Sequence, residues 1–266
     1  MQLMLKYTIR TILFLLTFFS FSQEKDSINQ EKVNDSLPAQ VYKQKYGLRV
    51  GIDLSKPIRT YFNDDYKGFE IVGDFRISQK LYIAAELGTE EKTSQEDLYN
   101  FTTTGSYLKA GLDINTYENW YGMENLITLG FRAASSTFKQ QVNEYKIYNT
   151  NPFWGEGVLL GTNPDILGEK EGLSAVWLEL ILGLKAEIFN NLYIGGSVRL
   201  NYLISNKEAD NFRNLYIPGF NKVTDGSKFG VGYNYTISYL IPIFQKNKKP
   251  KKEKEEIIEE ESIEEN

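Results

Sequence analysis

The feature that most constrains the fold is an alternation of apolar and polar residues that recurs through most of the chain. In the first such run, Leu48, Val50 and Ile52 alternate with Arg49 and Asp53. Successive side chains of a strand point to opposite faces, and no run shows a convincing 3.6-residue helical period. The chain is therefore predicted to be all-β. The runs number eight and cover residues 48–55, 69–77, 81–88, 108–115, 127–134, 176–187, 192–202 and 229–243.

The connections between these runs alternate in length. Residues 78–80, 118–125 and 190–191 are short connections, whereas the longest ones are residues 138–172 and 205–228. Short turns on one side and long loops on the other are typical of barrels in the bacterial outer membrane, where the short turns are periplasmic. An even strand number places both chain ends on that side. The prediction is an eight-stranded antiparallel up-and-down transmembrane β-barrel.

The polar face is charged and is predicted to fill the barrel lumen. The opposite assignment would expose a broad Leu, Ile, Val and Phe band to water, which soluble proteins avoid, whereas such a band suits lipid. Six basic and seven acidic side chains can pair in a narrow interior. This predicted lumen network comprises Arg49, Asp53, Glu70, Asp74, Arg76, Glu86, Lys109, Asp113, Arg132, Glu179, Lys185, Glu187 and Arg199.

Both ends of the chain differ from the barrel region in composition. Residues 1–22 resemble a cleaved signal peptide, because Lys6 and Arg10 precede an uncharged stretch that ends in Ser20-Phe21-Ser22. Residues 23–45 are polar and are predicted to be a flexible periplasmic lead-in. The barrel is predicted over residues 46–244, and residues 245–266 form a charged periplasmic tail, first basic and then rich in Glu.

Composition also limits the chemistry. The chain has no His and no Cys, which excludes imidazole acid/base catalysis, thiol nucleophiles and Cys-rich zinc sites. No calcium-loop spacing or phosphate-binding loop is found, so the prediction is a protein with no catalytic residues, no cofactor and no metal. The net charge of −5 disfavours binding to nucleic acid.

The alternating face pattern and the last strand resemble small outer-membrane barrels of the OmpA and OmpX type. More specifically, residues 46–244 are similar to an uncharacterised barrel family of Bacteroidetes-type bacteria. Residues 232–244, with Gly232 followed by alternate aromatic or aliphatic positions, look like the signal read by the barrel insertion machinery. Val231 and Phe244 depart from that pattern. The resemblance implies an outer-membrane location and supplies no activity, since related barrels serve structural, adhesive or accessory roles.

The expected function is a non-enzymatic structural or partner-binding role in the cell envelope. Phe153, Trp154, Tyr216 and Phe220 lie in the long loops and are candidate contacts for an envelope protein partner. Alternatively, these loop residues fold onto each other as a cap over the barrel mouth. Two further alternatives stay open, which are a narrow solute channel and a soluble periplasmic barrel that binds a ligand.

Overall fold

The protein forms a closed antiparallel barrel of eight strands. The structure is a computed structural model that describes residues 43–117, 124–148, 158–224 and 226–247. Its elements are β1 Lys43–Asp53, α1 Ser55–Phe62, β2 Tyr66–Arg76, β3 Leu81–Gln95, β4 Tyr99–Asn115, β5 Leu126–Tyr148, β6 Val158–Leu160, β7 Gly168–Phe189, β8 Leu192–Lys207, β9 Tyr216–Ile217, β10 Asn221–Lys222 and β11 Phe229–Asn247.

The ring runs β1-β2-β3-β4-β5-β7-β8-β11 and closes through the pairing of β11 with β1. Every pair in the ring is antiparallel. β6, β9 and β10 are short strands within the connections. The predicted fold class, an eight-stranded antiparallel up-and-down transmembrane β-barrel, is confirmed, with apolar side chains outside and charged side chains inside.

One end of the barrel carries the short turns and both strand termini. Lys43 pairs with Asn247 at this end, where residues 77–80 and the two-residue turn Asn190-Asn191 also lie. Asn191 has φ of 67°, a left-handed conformation that Asn tolerates and that tight hairpins require. This end is called the turn end below, and the opposite end, which carries the longer connections, is called the mouth.

Several strands continue past the ends predicted from sequence. β4 begins at Tyr99 rather than near Leu108, and β5 continues to Tyr148 instead of ending near Ala134. The connection predicted as residues 138–172 is consequently shorter, since β7 already begins at Gly168. The prediction stopped early because these extensions rise above the lipid-facing band, where runs such as Thr102-Thr103-Thr104 no longer alternate in polarity.

The helix α1 was not predicted and follows β1 directly. It has only two turns, includes Pro57 and carries both charged and apolar residues. A segment of this length gives too short a pattern for its period to be recognised. No helix in the described part of the chain is long and apolar enough to cross a membrane.

Candidate functional site

The lumen holds the charged residues predicted to lie there. Eleven of the thirteen are buried, and Lys185 and Glu187 are half-buried. On β7, Lys185 points into the lumen, whereas Leu180 and Leu184 on the opposite face remain 47% and 60% exposed. Strand pleating produces this separation, because odd and even positions of β7 point to opposite sides of the wall. The barrel is thus polar inside and apolar outside.

The middle of the lumen is held by one cluster centred on Arg199 of β8. Its guanidinium donates to both oxygens of Glu86, at 2.5 and 3.0 Å, and to Glu179 at 3.0 Å. Lys109 lies 3.1 Å from the other Glu179 oxygen. Glu70 completes the cluster by accepting a hydrogen bond of 2.5 Å from the Tyr107 hydroxyl. These residues come from β2, β3, β4, β7 and β8, so the cluster crosses the barrel.

A second group lies nearer the turn end and pairs three cations with two aspartates. Asp74 accepts from Lys185 at 2.5 Å and lies 3.6 Å from Arg49. Arg132 lies 2.8 Å from Asp113. Opposite charges in contact offset the cost of removing each from water, which leaves the interior stable only while both partners are present.

Residues of the turn end close the lumen from below. Arg76 donates to the carbonyls of Ser78 and Gln79, and Glu187 pairs with Lys45 at 3.3 Å. Glu124 lies 3.8 Å from the Arg76 guanidinium. Sequence reasoning missed Lys45 and Glu124, because both lie outside the alternating runs.

Asp53 has a different role from the rest of the predicted network. It is buried and forms no ion pair within the described ranges. Its carboxylate accepts from the backbone and hydroxyl of Ser55, at 2.9 and 2.8 Å, and from the Tyr235 backbone at 3.2 Å. Asp53 therefore ends β1 and starts α1, which corrects its assignment to the charge network.

A third polar cluster, at the mouth, was not predicted and surrounds Glu90. Lys56 of α1 pairs with its carboxylate, which also accepts from Tyr66 at 2.9 Å and from Tyr216 at 2.7 Å. Burial by itself would lower the pKa of the Lys56 ammonium, but Glu90 outweighs burial and raises it. Burial and Glu90 likewise raise the pKa of the Tyr216 hydroxyl. The lysine therefore stays charged and the tyrosine stays a donor.

The amino-acid sequence contains only part of the pattern that would predict this cluster. Glu90 continues the inward phase of Glu86 on β3, two residues beyond the predicted strand end. Its partner Lys56 lies on the helix that the sequence did not reveal. Gly219 also contributes its backbone amide to Glu90 at 3.0 Å. A side chain at Gly219, whose φ is +81°, would meet the Tyr107 ring at 2.6 Å, so only glycine lets this loop descend so far.

The loop between β8 and β11 folds into the mouth as an apolar plug. Ile217 and Phe220 are buried, and Phe220 meets Trp177 edge-on with ring centroids 5.8 Å apart. The surrounding cluster consists of Tyr107, Ala134, Phe138, Leu173, Ala175, Trp177 and Leu203. Trp177 links the plug to the charges below by donating to Glu179 at 2.7 Å.

This plug corrects the prediction that Tyr216 and Phe220 are exposed partner contacts. Their side chains are 5% and 1% exposed and belong to the interior, as the alternative of a capping loop required. The tips of long connections are apolar both when they bind partners and when they cap a barrel, so sequence alone could not separate the two. The other candidates, Phe153 and Trp154, lie outside the described residues.

Little space is left between the charged side chains below the plug. A cavity of about 50 Å³ remains between the middle and lower charge groups, lined by Arg49, Asp74, Arg132 and Arg199 among others. One water occupies at least ~10–15 Å³ on this measure, so the cavity has room for only a few. Paired carboxylates and cations in such a space can stabilise the barrel wall.

Together, the closed ring, the filled lumen and the apolar exterior define a small transmembrane β-barrel. The chain belongs to the family described as "Domain of unknown function (DUF6048)", whose model matches residues 4–246. No curated protein matches it.

Two solved structures are similar to this chain. Ail, the attachment invasion locus protein of Yersinia pestis, is 10% identical, with a TM-score of 0.35 over 74% of this chain and 97% of that one. CarO2 of Acinetobacter baumannii is 11% identical, with a TM-score of 0.34 over 75% of this chain and 99% of that one. The fold class itself rests on the strand pairing of this chain.

Proposed function

We propose that the protein is a non-enzymatic, non-conducting barrel of the outer membrane, with a structural or partner-binding role at the outer face. Both strand ends lie at the turn end, which we assign to the periplasm because outer-membrane barrels keep their short turns there. The mouth, with the longer connections, faces outward. Residues 1–22 act as the cleaved export signal in this proposal.

The observation that carries the proposal is the filled lumen. Three polar clusters and the apolar plug occupy it from the turn end to the mouth, with a cavity of about 50 Å³ between the two lower charge groups and a wider cleft at the mouth. A solute channel needs a continuous path, and this interior offers none among the described residues. A soluble ligand-binding barrel needs an interior cavity and a polar exterior, and this barrel has the reverse arrangement.

The outer face offers a surface for a partner at the extension of β5 and β6 beyond the lipid-facing band. β6 pairs with the end of β5, where Lys146 is opposite Leu160. Val158, Leu159 and Leu160 are 40%, 50% and 65% exposed, and Ile147 is 51% exposed. Exposed apolar residues grouped on a projecting edge are typical of a protein contact. We propose this edge as the partner-binding surface in place of Tyr216 and Phe220.

Two measurements on the full chain test the location and the closed state. The mature protein should remain with the membrane fraction unless detergent is added, and should migrate differently in detergent gels before and after heating. Purified protein in planar lipid bilayers should give no unitary currents. Recovery in the aqueous fraction would contradict the membrane location, and stable unitary currents would contradict the closed barrel.

The partner surface is tested by cross-linking in cells. A photoreactive amino acid at Leu160 should capture a discrete envelope protein, whereas the same group at Lys67, an exposed residue on β2, should not. Equal labelling at both positions would argue against a specific contact at β6.

A further inference from the structure

The barrel wall has a notch on the mouth side, where β1 stops short of its neighbours. Pairing of β1 with β2 ends at Ile52 and Ile71, and pairing with β11 ends at Asp53 and Thr236. Residues 66–70 of β2 and 229–235 of β11 therefore have no β1 partner within the described part of the chain. The outward apolar row of β11 continues along the notch through Val231 and Tyr233, which are 74% and 64% exposed.

The helix α1 occupies this notch and turns apolar residues outward. Ile58 is 50% exposed, and Tyr61 and Phe62 are 83% and 80% exposed, with their rings edge to face at 5.1 Å. The other side of the helix is anchored, since Thr60 accepts from the Gly68 backbone at 3.0 Å and Lys56 pairs with Glu90. A short amphipathic helix with aromatic residues on one side suits the boundary between lipid chains and headgroups.

A cleft of about 780 Å³ opens behind the notch. It lies between α1, β11, the ends of β3 and β4, and the loop between β8 and β11. Four basic side chains line it. Lys56 pairs with Glu90, and Lys222 pairs with Glu96 at 3.1 Å. Arg59 and Lys92 have no carboxylate within ion-pair distance among the described residues, and Arg59 instead stacks 4.0 Å over the Tyr66 ring. The cleft thus carries two cations without a direct ion pair in the described part of the chain, although Asp65 acts on the Lys92 ammonium from a longer distance.

We propose that the notch and cleft bind an anionic amphiphile of the outer leaflet, a lipid whose phosphate lies between Arg59 and Lys92. Its acyl chains lie against Phe62, Val231 and Tyr233, which continue the lipid-facing surface of the barrel. Guanidinium and ammonium groups are the usual ligands of lipid phosphate, and a cleft of this size holds a headgroup. The site rests on the membrane location proposed above and goes beyond it in naming a ligand class.

The experiment measures lipid retention by the full-length protein, purified in detergent, using native mass spectrometry. Phosphatidylglycerol and phosphatidylcholine of identical acyl chains serve as probes. The wild-type protein should retain phosphatidylglycerol in preference to phosphatidylcholine. The double variant Arg59→Gln/Lys92→Gln should reduce this preference at least about tenfold, because each cation near a lipid surface adds to anionic lipid binding. Equal retention of both lipids by the wild type would overturn the proposal.

The matched control is Lys67→Gln/Lys139→Gln, which removes two exposed lysines outside the cleft that pair with Glu91 and Glu169. It should leave the preference for phosphatidylglycerol unchanged. An equal loss in this control would show that net charge alone sets the preference, which would contradict the cleft site. Inorganic phosphate should not displace the lipid, whereas complete displacement would indicate a free-anion site and contradict an amphiphile. Tyr61→Ser/Phe62→Ser should weaken retention of both lipids, and no change would contradict the acyl contact.

Folding and location are separable from lipid selectivity. Each variant is first checked for the heat-dependent migration of a folded barrel. If the Arg59→Gln/Lys92→Gln variant does not fold, the salt dependence of wild-type retention replaces it, since only a charge-held headgroup weakens as salt rises. Salt-independent retention overturns the site. A protein that fractionates with membranes but shows no lipid preference refutes the lipid site and leaves the proposed function intact.

Discussion

Glu179 is the side chain at which the lumen charges meet the apolar plug. It is fully buried, accepts from Arg199 and Trp177 and pairs with Lys109, so it joins the charge network to the apolar plug. Replacing one member of a buried ion cluster leaves its partners charged and uncompensated. Glu179→Leu should therefore lower the free energy of unfolding by about 3–5 kcal/mol, measured by urea titration in detergent or lipid.

A matched control lies on the same strand. Glu169 of β7 pairs with Lys139 at 2.5 Å, but both side chains are largely exposed. Solvent screens surface ion pairs so that they add little to stability, and Glu169→Leu should therefore change stability far less than Glu179→Leu. Comparable losses at the two positions would mean that the lumen charges do not hold the barrel together.

The direction in which a side chain points decides how a position tolerates arginine. Leu180 faces outward in the apolar band, so Leu180→Arg should cost about 2–4 kcal/mol near the bilayer midplane. Ser106→Arg, an outward position beyond the apolar row of β4, should cost much less. The measurement is refolding into lipid vesicles followed by denaturant titration, and equal costs at the two positions would refute the assignment of the faces.

At Gly183, the space inside the lumen, and not contact with lipid, limits whether an arginine is tolerated. Gly183 lies on the lumen face of β7, and a Cβ at this position would lie 2.7 Å from the Thr128 hydroxyl oxygen. Gly183→Arg should thus fail to fold to the native barrel even though the surrounding lumen is polar. Recovery of the variant at wild-type yield, with the heat-dependent migration of a folded barrel, would contradict this expectation.

At the scale of elements, the plug formed by the loop between β8 and β11 should open without loss of the barrel. Phe220 is its deepest ring, so Phe220→Ala removes burial against Trp177 that is worth about 3–5 kcal/mol in a core. Because strand pairing is unaffected, the loss should fall on the loop alone. Limited proteolysis should cleave residues 208–228 at least about a hundredfold faster than in the wild type.

Phe229→Ala is the control for this substitution, because Phe229 is 56% exposed on the lipid-facing side of β11. It removes the same ring outside the plug and should leave cleavage of the loop near the wild-type rate. If Phe220→Ala instead abolishes the heat-stable barrel, the plug and the barrel are one folding unit.

The same elements show what alternation in the sequence can and cannot reveal. Period two identified the eight strands and the inward charges, because a lipid exterior and a polar lumen force a strict contrast between the two faces. Above the band that contrast disappears, as in Thr102-Thr103-Thr104 of β4, and the strand extensions were missed. The position of Tyr216 beside Glu90 depends on a contact between residues 126 positions apart, which no local pattern encodes.

For the whole molecule, the lumen is filled by layers in series, and the upper two are separable by mutation. The plug closes the mouth, and the cluster around Arg199 closes the middle, with only about 50 Å³ open between the charge groups. Deleting residues 209–227 should remove the first layer only, and currents in planar bilayers should remain absent. Combining this deletion with Glu86→Ala and Arg199→Ala removes a charge of each sign from the second layer.

The combined variant should then admit water as far as the group around Asp74 and Arg132 but still give no unitary currents, because that group and the turn-end residues stay in place. Removing both partners of an ion pair avoids leaving one buried charge alone, which favours folding of the variant. Heat-dependent migration confirms that it folds before conductance is recorded. Currents from the loop deletion alone would show that the mouth plug is the sole barrier, and currents from the folded combined variant would show that the lower group around Asp74 and Arg132 does not close the lumen.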